Sequence, residues 1–104
     1  MSIRLIALLG LAISVLSCSK SVDLPSPDLS TADPLVVDIV QRSLRKVEAN
    51  PASPTAWNDL GRACYANGFP SEADVALSRS LELEASQPKV WYLRGMVRRD
   101  EYDL

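Results

Sequence analysis

The side chains in this chain that could do chemistry are few. The sequence contains no histidine, which removes the most common general base, the histidine-containing catalytic triads and histidine-ligated metal sites. It also has no glycine-rich phosphate loop and no metal-ligand spacing. We therefore expect that the protein is not an enzyme, with no catalytic residues, no metal and no cofactor.

Cys64 and the pair Asn58 and Arg62 are the remaining candidates for chemistry. Cys64 could be a redox thiol, but in an apolar helix we expect it to be a small filler where two helices cross. Asn58 and Arg62 are one helical turn apart, and together they offer parallel donors to a carboxylate or a peptide backbone. The alternative for this pair is a plain solvated helix face, because such pairs are common.

Length and charge limit the kind of partner. With 104 residues there is room for one small domain. Eleven basic and thirteen acidic side chains give a formal net charge of −2. A chain of this charge is not expected to bind nucleic acid. No feature indicates a small-molecule substrate.

The N-terminus has the features of a cleaved export signal. Arg4 precedes an apolar stretch from Leu5 to Leu16, which is too short for the ~20 residues that a spanning helix needs. The stretch ends in Val15-Leu16-Ser17-Cys18, which resembles a bacterial lipobox. The resemblance implies that residues 1–17 form a signal peptide, and that Cys18 is acylated and anchors the protein to a membrane.

The segment after the cysteine is predicted to be a flexible linker. Residues 18–33 are rich in serine, proline and aspartate and poor in apolar side chains. Following the lipobox resemblance, Ser19 after the cysteine weakly favours the outer membrane. We expect a lipid-anchored protein of the bacterial cell envelope that faces the periplasm.

Proline and capping residues predict four helices. Asp33-Pro34 and Ser53-Pro54 are start signals, and Pro88 opens the last helix. Apolar side chains follow at helical spacing in each segment. The third helix is predicted to begin near Ser71, whose hydroxyl would cap it while Asp74 completes a box-like pairing. The fold class is therefore all-α.

An internal repeat of 34 residues links the second and fourth helices. Trp57 and Gly61 recur 34 positions later as Trp91 and Gly95. A fixed period of this length indicates stacked helix pairs. The fourth helix would lack an antiparallel partner, so Trp91 and Val97 are expected to be uncovered.

The repeat is similar to the tetratricopeptide repeat, a helix–turn–helix of 34 residues. The resemblance covers about residues 51–97. Small residues allow the helices to approach, and Trp57 fills the groove between them. The residues that carry the resemblance are Trp57, Leu60, Gly61, Ala73, Leu77, Trp91 and Gly95.

The resemblance implies an antiparallel helix-pair solenoid fragment of about four helices, preceded by a signal-peptide helix and a disordered linker. Residues 34–50 would be an N-terminal capping helix, and residues 51–104 one repeat plus the first helix of a second. In such arrays the first helix of each pair lines a groove that binds proteins. Here the groove would present Thr55, Asn58, Arg62 and Tyr65.

The expected function is an adaptor or assembly scaffold for a protein or peptide partner. One alternative is the tethering or sensor region of a longer enzyme, and another is a small structural lipoprotein without a specific partner. We also expect the chain to be the N-terminal part of a longer repeat protein, since about three repeats are needed for comfortable stability. Docking of the uncovered face onto a partner or a second copy is the alternative.

Overall fold

The computed structural model describes residues 23–102. This part of the chain has four α-helices and no strand, so the all-helical prediction is confirmed. The helices are α1 (Pro34–Ala49), α2 (Pro54–Ala66), α3 (Pro70–Leu83) and α4 (Pro88–Tyr102). None of these helices is long and apolar enough to cross a bilayer. The predicted signal peptide and Cys18 lie outside the described residues.

Each helix begins at a proline, which needs no partner for an amide N–H and already has a helical φ. The Asp33 carboxylate accepts a hydrogen bond from the Leu35 amide at 2.8 Å, and the Ser53 hydroxyl accepts one from the Ala56 amide at 3.2 Å. These bonds satisfy amide donors that the first helical turn leaves free. The predicted starts of α1 and α2 are confirmed.

The predicted cap of α3 is wrong. The helix begins at Pro70 after Phe69, and no side chain caps it. Because Pro70 starts the helix early, Ser71 lies inside the first turn, where its hydroxyl donates to the Glu101 carboxylate of α4 at 3.0 Å. Asp74 does not complete a capping pair either, since its carboxylate accepts from Arg94.

The turn between α2 and α3 ends at a glycine with a left-handed backbone. Gly68 has φ of +85°, a conformation that costs other residues energy. The Asn67 side-chain amide donates to the Ala63 carbonyl at 2.7 Å. Together they reverse the chain, so that α3 returns along α2.

The helices pack in sequence order, and α3 runs antiparallel to both α2 and α4. The Ser80 hydroxyl, near the end of α3, donates to the Pro54 carbonyl at the start of α2, at 2.8 Å. Arg94 of α4 contacts Asp74 near the start of α3 at 3.1 Å. Consequently α2 and α4 run in the same direction, with α3 packed against both.

The core lies along these contacts. Trp57 is its largest buried side chain, with 1% of its surface exposed. Burying such a ring removes ~150–250 Å² from water. Helical spacing predicts an inward face on α3, and all five of its members are buried: Ala73, Ala76, Leu77, Ser80 and Leu81. The buried core residues are Val40, Val47, Ala56, Trp57, Leu60, Cys64, Ala73, Ala76, Leu77, Ser80, Leu81, Val90 and Val97.

Two predictions about single core positions are wrong. Val97 is fully buried, not uncovered, because it shares a stripe of α4 with Val90 that faces the core. In α1, helical spacing predicts one apolar stripe of Val36, Ile39, Val40, Leu44 and Val47. Val40 and Val47 are fully buried, but Ile39 is 38% exposed at the edge of this stripe.

The described part of the predicted linker packs against the helices. Residues 23–33 contain no helix or strand. Leu24 and Leu29 are partly buried against the core, while Ser26 and Asp28 between them are exposed. We call residues 23–29 the strap. Flexibility of residues 18–22 stays a prediction, because they lie outside the described residues.

Candidate binding concavity between α2 and α4

The two tryptophans are held in the same way. The Trp57 indole N–H donates to the Pro51 carbonyl at 2.8 Å, and the Trp91 indole N–H donates to the Ala85 carbonyl, also at 2.8 Å. Donor and acceptor both move by 34 positions from the first bond to the second. Trp57 and Trp91 therefore occupy equivalent positions at the start of α2 and α4.

The surroundings of these equivalent positions differ. Trp57 is 1% exposed, whereas Trp91 is 49% exposed. A Cβ added at Gly61 would lie 2.6 Å from Leu77 Cδ2, but one added at Gly95 meets no atom within 4 Å. The helix α3 fills the position beside Gly61. Within the described chain, nothing fills the equivalent position beside Gly95.

A concavity of about 520 Å³ lies between α2 and α4. Two of the four predicted groove residues, Asn58 and Arg62, contribute to it from α2. The helix α4 supplies most of the remaining surface. The lining residues are Asn58, Arg62, Pro88, Lys89, Val90, Tyr92, Leu93 and Met96.

The other two predicted groove residues are not part of this lining. Thr55 is exposed beside it. The Tyr65 hydroxyl donates to the Asp100 carboxylate, and this hydrogen bond, with the nearby negative charge, raises the pKa of Tyr65. Tyr65 therefore joins the C-terminal halves of α2 and α4 and helps fix their spacing.

The residues that the sequence analysis missed come from α4. Shifting Thr55, Asn58 and Arg62 by the repeat length gives Lys89, Tyr92 and Met96, all of which line the concavity. The signal was therefore present in the period itself. The predicted groove was confined to the first copy of the repeat, so it left out the equivalent residues of α4.

The lining combines positive charge with an apolar surface. Arg62 and Lys89 carry cations, and no lining residue is acidic. Leu93 and Met96 supply apolar surface. Such a site suits a segment with a carboxylate and apolar side chains.

Asn58 adds one directional polar group to the concavity. Its Oδ1 atom is buried and has no hydrogen-bond partner among the described residues. A buried carbonyl oxygen without a donor costs free energy, and a ligand N–H could bond to this one only if the Asn58 side chain turned toward the concavity.

Cys64 lacks the surroundings of a reactive thiol. It is fully buried. Burial, and to a lesser extent the negative charge of Glu72, raises the pKa of the thiol to about 11. The thiolate is therefore scarce near neutral pH, as expected for a structural cysteine. Within residues 23–102, no group of three or more potential metal ligands comes together.

A scan against protein-family models finds no match for this chain, and searches of curated proteins and of solved structures return none. The chemistry of the concavity is therefore inferred from the residues that line it. It has two cations, one buried amide oxygen and an apolar surface, presented by two parallel helices.

Proposed function

We propose that this chain is a tetratricopeptide-like protein of the bacterial cell envelope that binds a protein partner in the concavity between α2 and α4. It acts as an adaptor or assembly scaffold. One observation carries the proposal: residues 34 positions apart on two parallel helices line a single concavity. Repeated helices that present one continuous surface are typical of modules that bind extended peptides or partner helices.

The equivalent tryptophan positions support the repeat part of the proposal. Each indole bonds to a carbonyl six residues earlier, at the same distance. Gly61 allows Leu77 to approach α2 closely, which is the role that small residues have at helix crossings in such repeats. A pair of unrelated helices would not be expected to share the indole hydrogen bond at equivalent positions.

The lining supports the choice of partner. Arg62 can pair with a carboxylate in two parallel hydrogen bonds, and Lys89 adds a second positive charge. The surface at Leu93 and Met96 accepts an apolar side chain. We infer that the partner segment carries at least one acidic group beside an apolar residue.

The anchor in this proposal is Cys18, acylated after cleavage of residues 1–17. The lipobox-like residues before it support this assignment. Several acyl chains, each methylene contributing ~0.8 kcal/mol when buried, hold a protein stably at a membrane. The protein would face the periplasm, with the outer membrane favoured. Mass spectrometry of the mature N-terminus should find acyl mass on Cys18.

A charge-reversal experiment tests the binding site. The variant Arg62→Glu with Lys89→Glu places two acidic groups in the concavity. The matched control, Arg45→Glu with Lys46→Glu, makes the same change in charge at exposed positions on α1. Partners are crosslinked in cells, purified with each variant and quantified by mass spectrometry.

We expect the concavity variant to lose its specific partner at least about tenfold, equivalent to 1.4 kcal/mol. The α1 variant should retain it, since its charges lie outside the lining. Equal recovery with both variants would contradict the proposed site.

A further inference from the structure

The strap has a defined place on the helices. Asp23, its first residue, lines a second concavity together with Trp57 and residues of α3. Leu24 and Leu29 pack against the core next to it. The strap therefore contacts the helical core near both of its ends, through Leu24 and Leu29. The α3 residues that share this second concavity are Asp74, Val75, Ser78, Arg79 and Glu82.

The second concavity lies on the outer face of α3. Val75, Ser78 and Glu82 fall on the side of the helix opposite to Leu77 and Ser80, which face the core. Val75 is accordingly 53% exposed. The strap therefore begins beside outward-facing residues of α3, in a concavity to which Trp57 of α2 also contributes.

The binding concavity faces the other way. It contains no residue of α3. Arg62 lies about 100° around α2 from Gly61, which packs on α3, and Asn58 lies about 60° from Gly61 on the other side. The two concavities share no residue and are separated by the helices themselves.

The covalent chain limits how far the membrane can be from the strap. Cys18 is five residues before Asp23. Five residues span at most about 18 Å, whatever their conformation. Two helix layers, each ~10 Å across, are together thicker than this five-residue segment is long. A lipid on Cys18 cannot easily reach around them to the binding concavity.

We propose that the strap orients the protein on the membrane, with the outer face of α3 next to the lipid and the binding concavity open toward the periplasm. The inference rests on the proposed acylation of Cys18. The strap would keep the concavity accessible to a partner, which an unrestrained linker would not.

Charge does not produce this orientation. The second concavity has three acidic residues, Asp23, Asp74 and Glu82, and a single basic residue, Arg79. Such a face is not attracted to anionic lipids. The orientation is therefore expected to be independent of salt concentration, unlike one produced by a basic patch.

Fluorescence quenching at a membrane tests the orientation. Single cysteines are introduced by Glu82→Cys on α3 or Tyr92→Cys in the binding concavity, in a Cys64→Ala background. The full-length chain is purified from bacterial membranes and labelled with a fluorophore. It is then added to phosphatidylcholine vesicles that contain a nitroxide-headgroup lipid, and bound protein is isolated by flotation.

We expect the label at position 82 to be quenched several-fold more than the label at position 92, at low and at high salt. Equal or reversed quenching in protein that floats with the vesicles would overturn the orientation alone. Protein that does not float has no acyl anchor, which would overturn the anchor and the orientation together.

Releasing the strap provides the second test. Leu24→Ser with Leu29→Ser removes its apolar contacts, and the quenching difference should largely disappear while the helices, checked by circular dichroism, remain. Leu24→Ala is a milder variant for use if the double variant unfolds. The matched control is Ser26→Ala with Ser30→Ala, at exposed positions within the strap and directly after it. A difference that survives release of the strap would overturn its role.

Discussion

Cys64 shows how burial decides the chemistry of a single residue. Its sequence position permitted either a redox thiol or a packing residue. The structure places it at 0% exposure between helices, with the thiol pKa raised to about 11. The neutral thiol is what this site stabilises.

The raised pKa predicts a stability change at alkaline pH. In the unfolded chain the thiol has its ordinary pKa of 9.0, and burial in the folded chain raises this pKa to about 11. The stabilising effect is full below pH 9 and is lost as pH rises toward 11, because ionisation then favours the unfolded chain. The loss should amount to at most about 3 kcal/mol, since one pKa unit corresponds to about 1.4 kcal/mol.

Urea unfolding across this pH range measures the effect. The variant Cys64→Ala is the control, since it keeps Tyr65 and every other titrating group. We expect its stability to fall less steeply with pH than that of the original chain. Parallel curves for the two proteins would show that Cys64 does not contribute.

Elements were predictable where a local signal defines them. Proline at the first turn marked the starts of α1, α2 and α4. The start of α3 was predicted within one residue, but the cap was assigned wrongly to Ser71, because the helix begins at Pro70 and no side chain caps it. The Ser71 hydroxyl bonds to Glu101, 30 residues away, and such tertiary contacts cannot be seen in a local pattern.

The sequence analysis predicted the α2 side of the binding concavity but not its α4 side. Asn58 and Arg62 follow from helical spacing on one helix. The contribution of α4 depends on α2 and α4 lying side by side, which only the 34-residue period indicates. Burial of Val97 depends likewise on how α4 is rotated against α3, and hydrophobic spacing alone left this open.

The two equivalent glycines predict opposite effects of the same substitution. Gly61→Ala forces a Cβ to within 2.6 Å of Leu77 Cδ2, and overpacking of this kind typically costs ~1–3 kcal/mol. Gly95→Ala places its Cβ in open space and should stabilise α4 by ~0.5–1 kcal/mol, since alanine is the better helix former.

Chemical denaturation of both variants checks this pair. The free energy of unfolding should decrease for Gly61→Ala and increase for Gly95→Ala, relative to the original chain. Destabilisation by both substitutions to a similar extent would mean that the position beside Gly95 is already filled.

Each of the four helices in residues 23–102 contacts mainly its neighbours in sequence. Stability in such a stack is roughly a sum of local helix-pair terms. The described chain has one well-covered pair, α2 with α3, while Trp91 and Tyr102 of α4 are about half exposed. Unfolding of the four helices should therefore be only weakly cooperative.

This arrangement predicts a broad thermal transition for the mature chain. The α4 signal, followed by Trp91 fluorescence, should change at a lower temperature than the helical signal in circular dichroism. The variant Trp57→Phe isolates the Trp91 emission for this purpose. A single sharp transition of a monomer, well above room temperature and coincident by both probes, would contradict the prediction.

Position-specific photo-crosslinking tests the central claim most directly: that two repeated helices form the surface that binds a partner. A photoreactive residue is placed in turn at Tyr92 and Met96 in the binding concavity, and at Val75 on the outer face of α3, in cells that express the full chain. The account predicts a discrete adduct of the same partner from positions 92 and 96, absent from position 75 and lost with Arg62→Glu. An adduct that forms equally from position 75, or none from either concavity position, would contradict it.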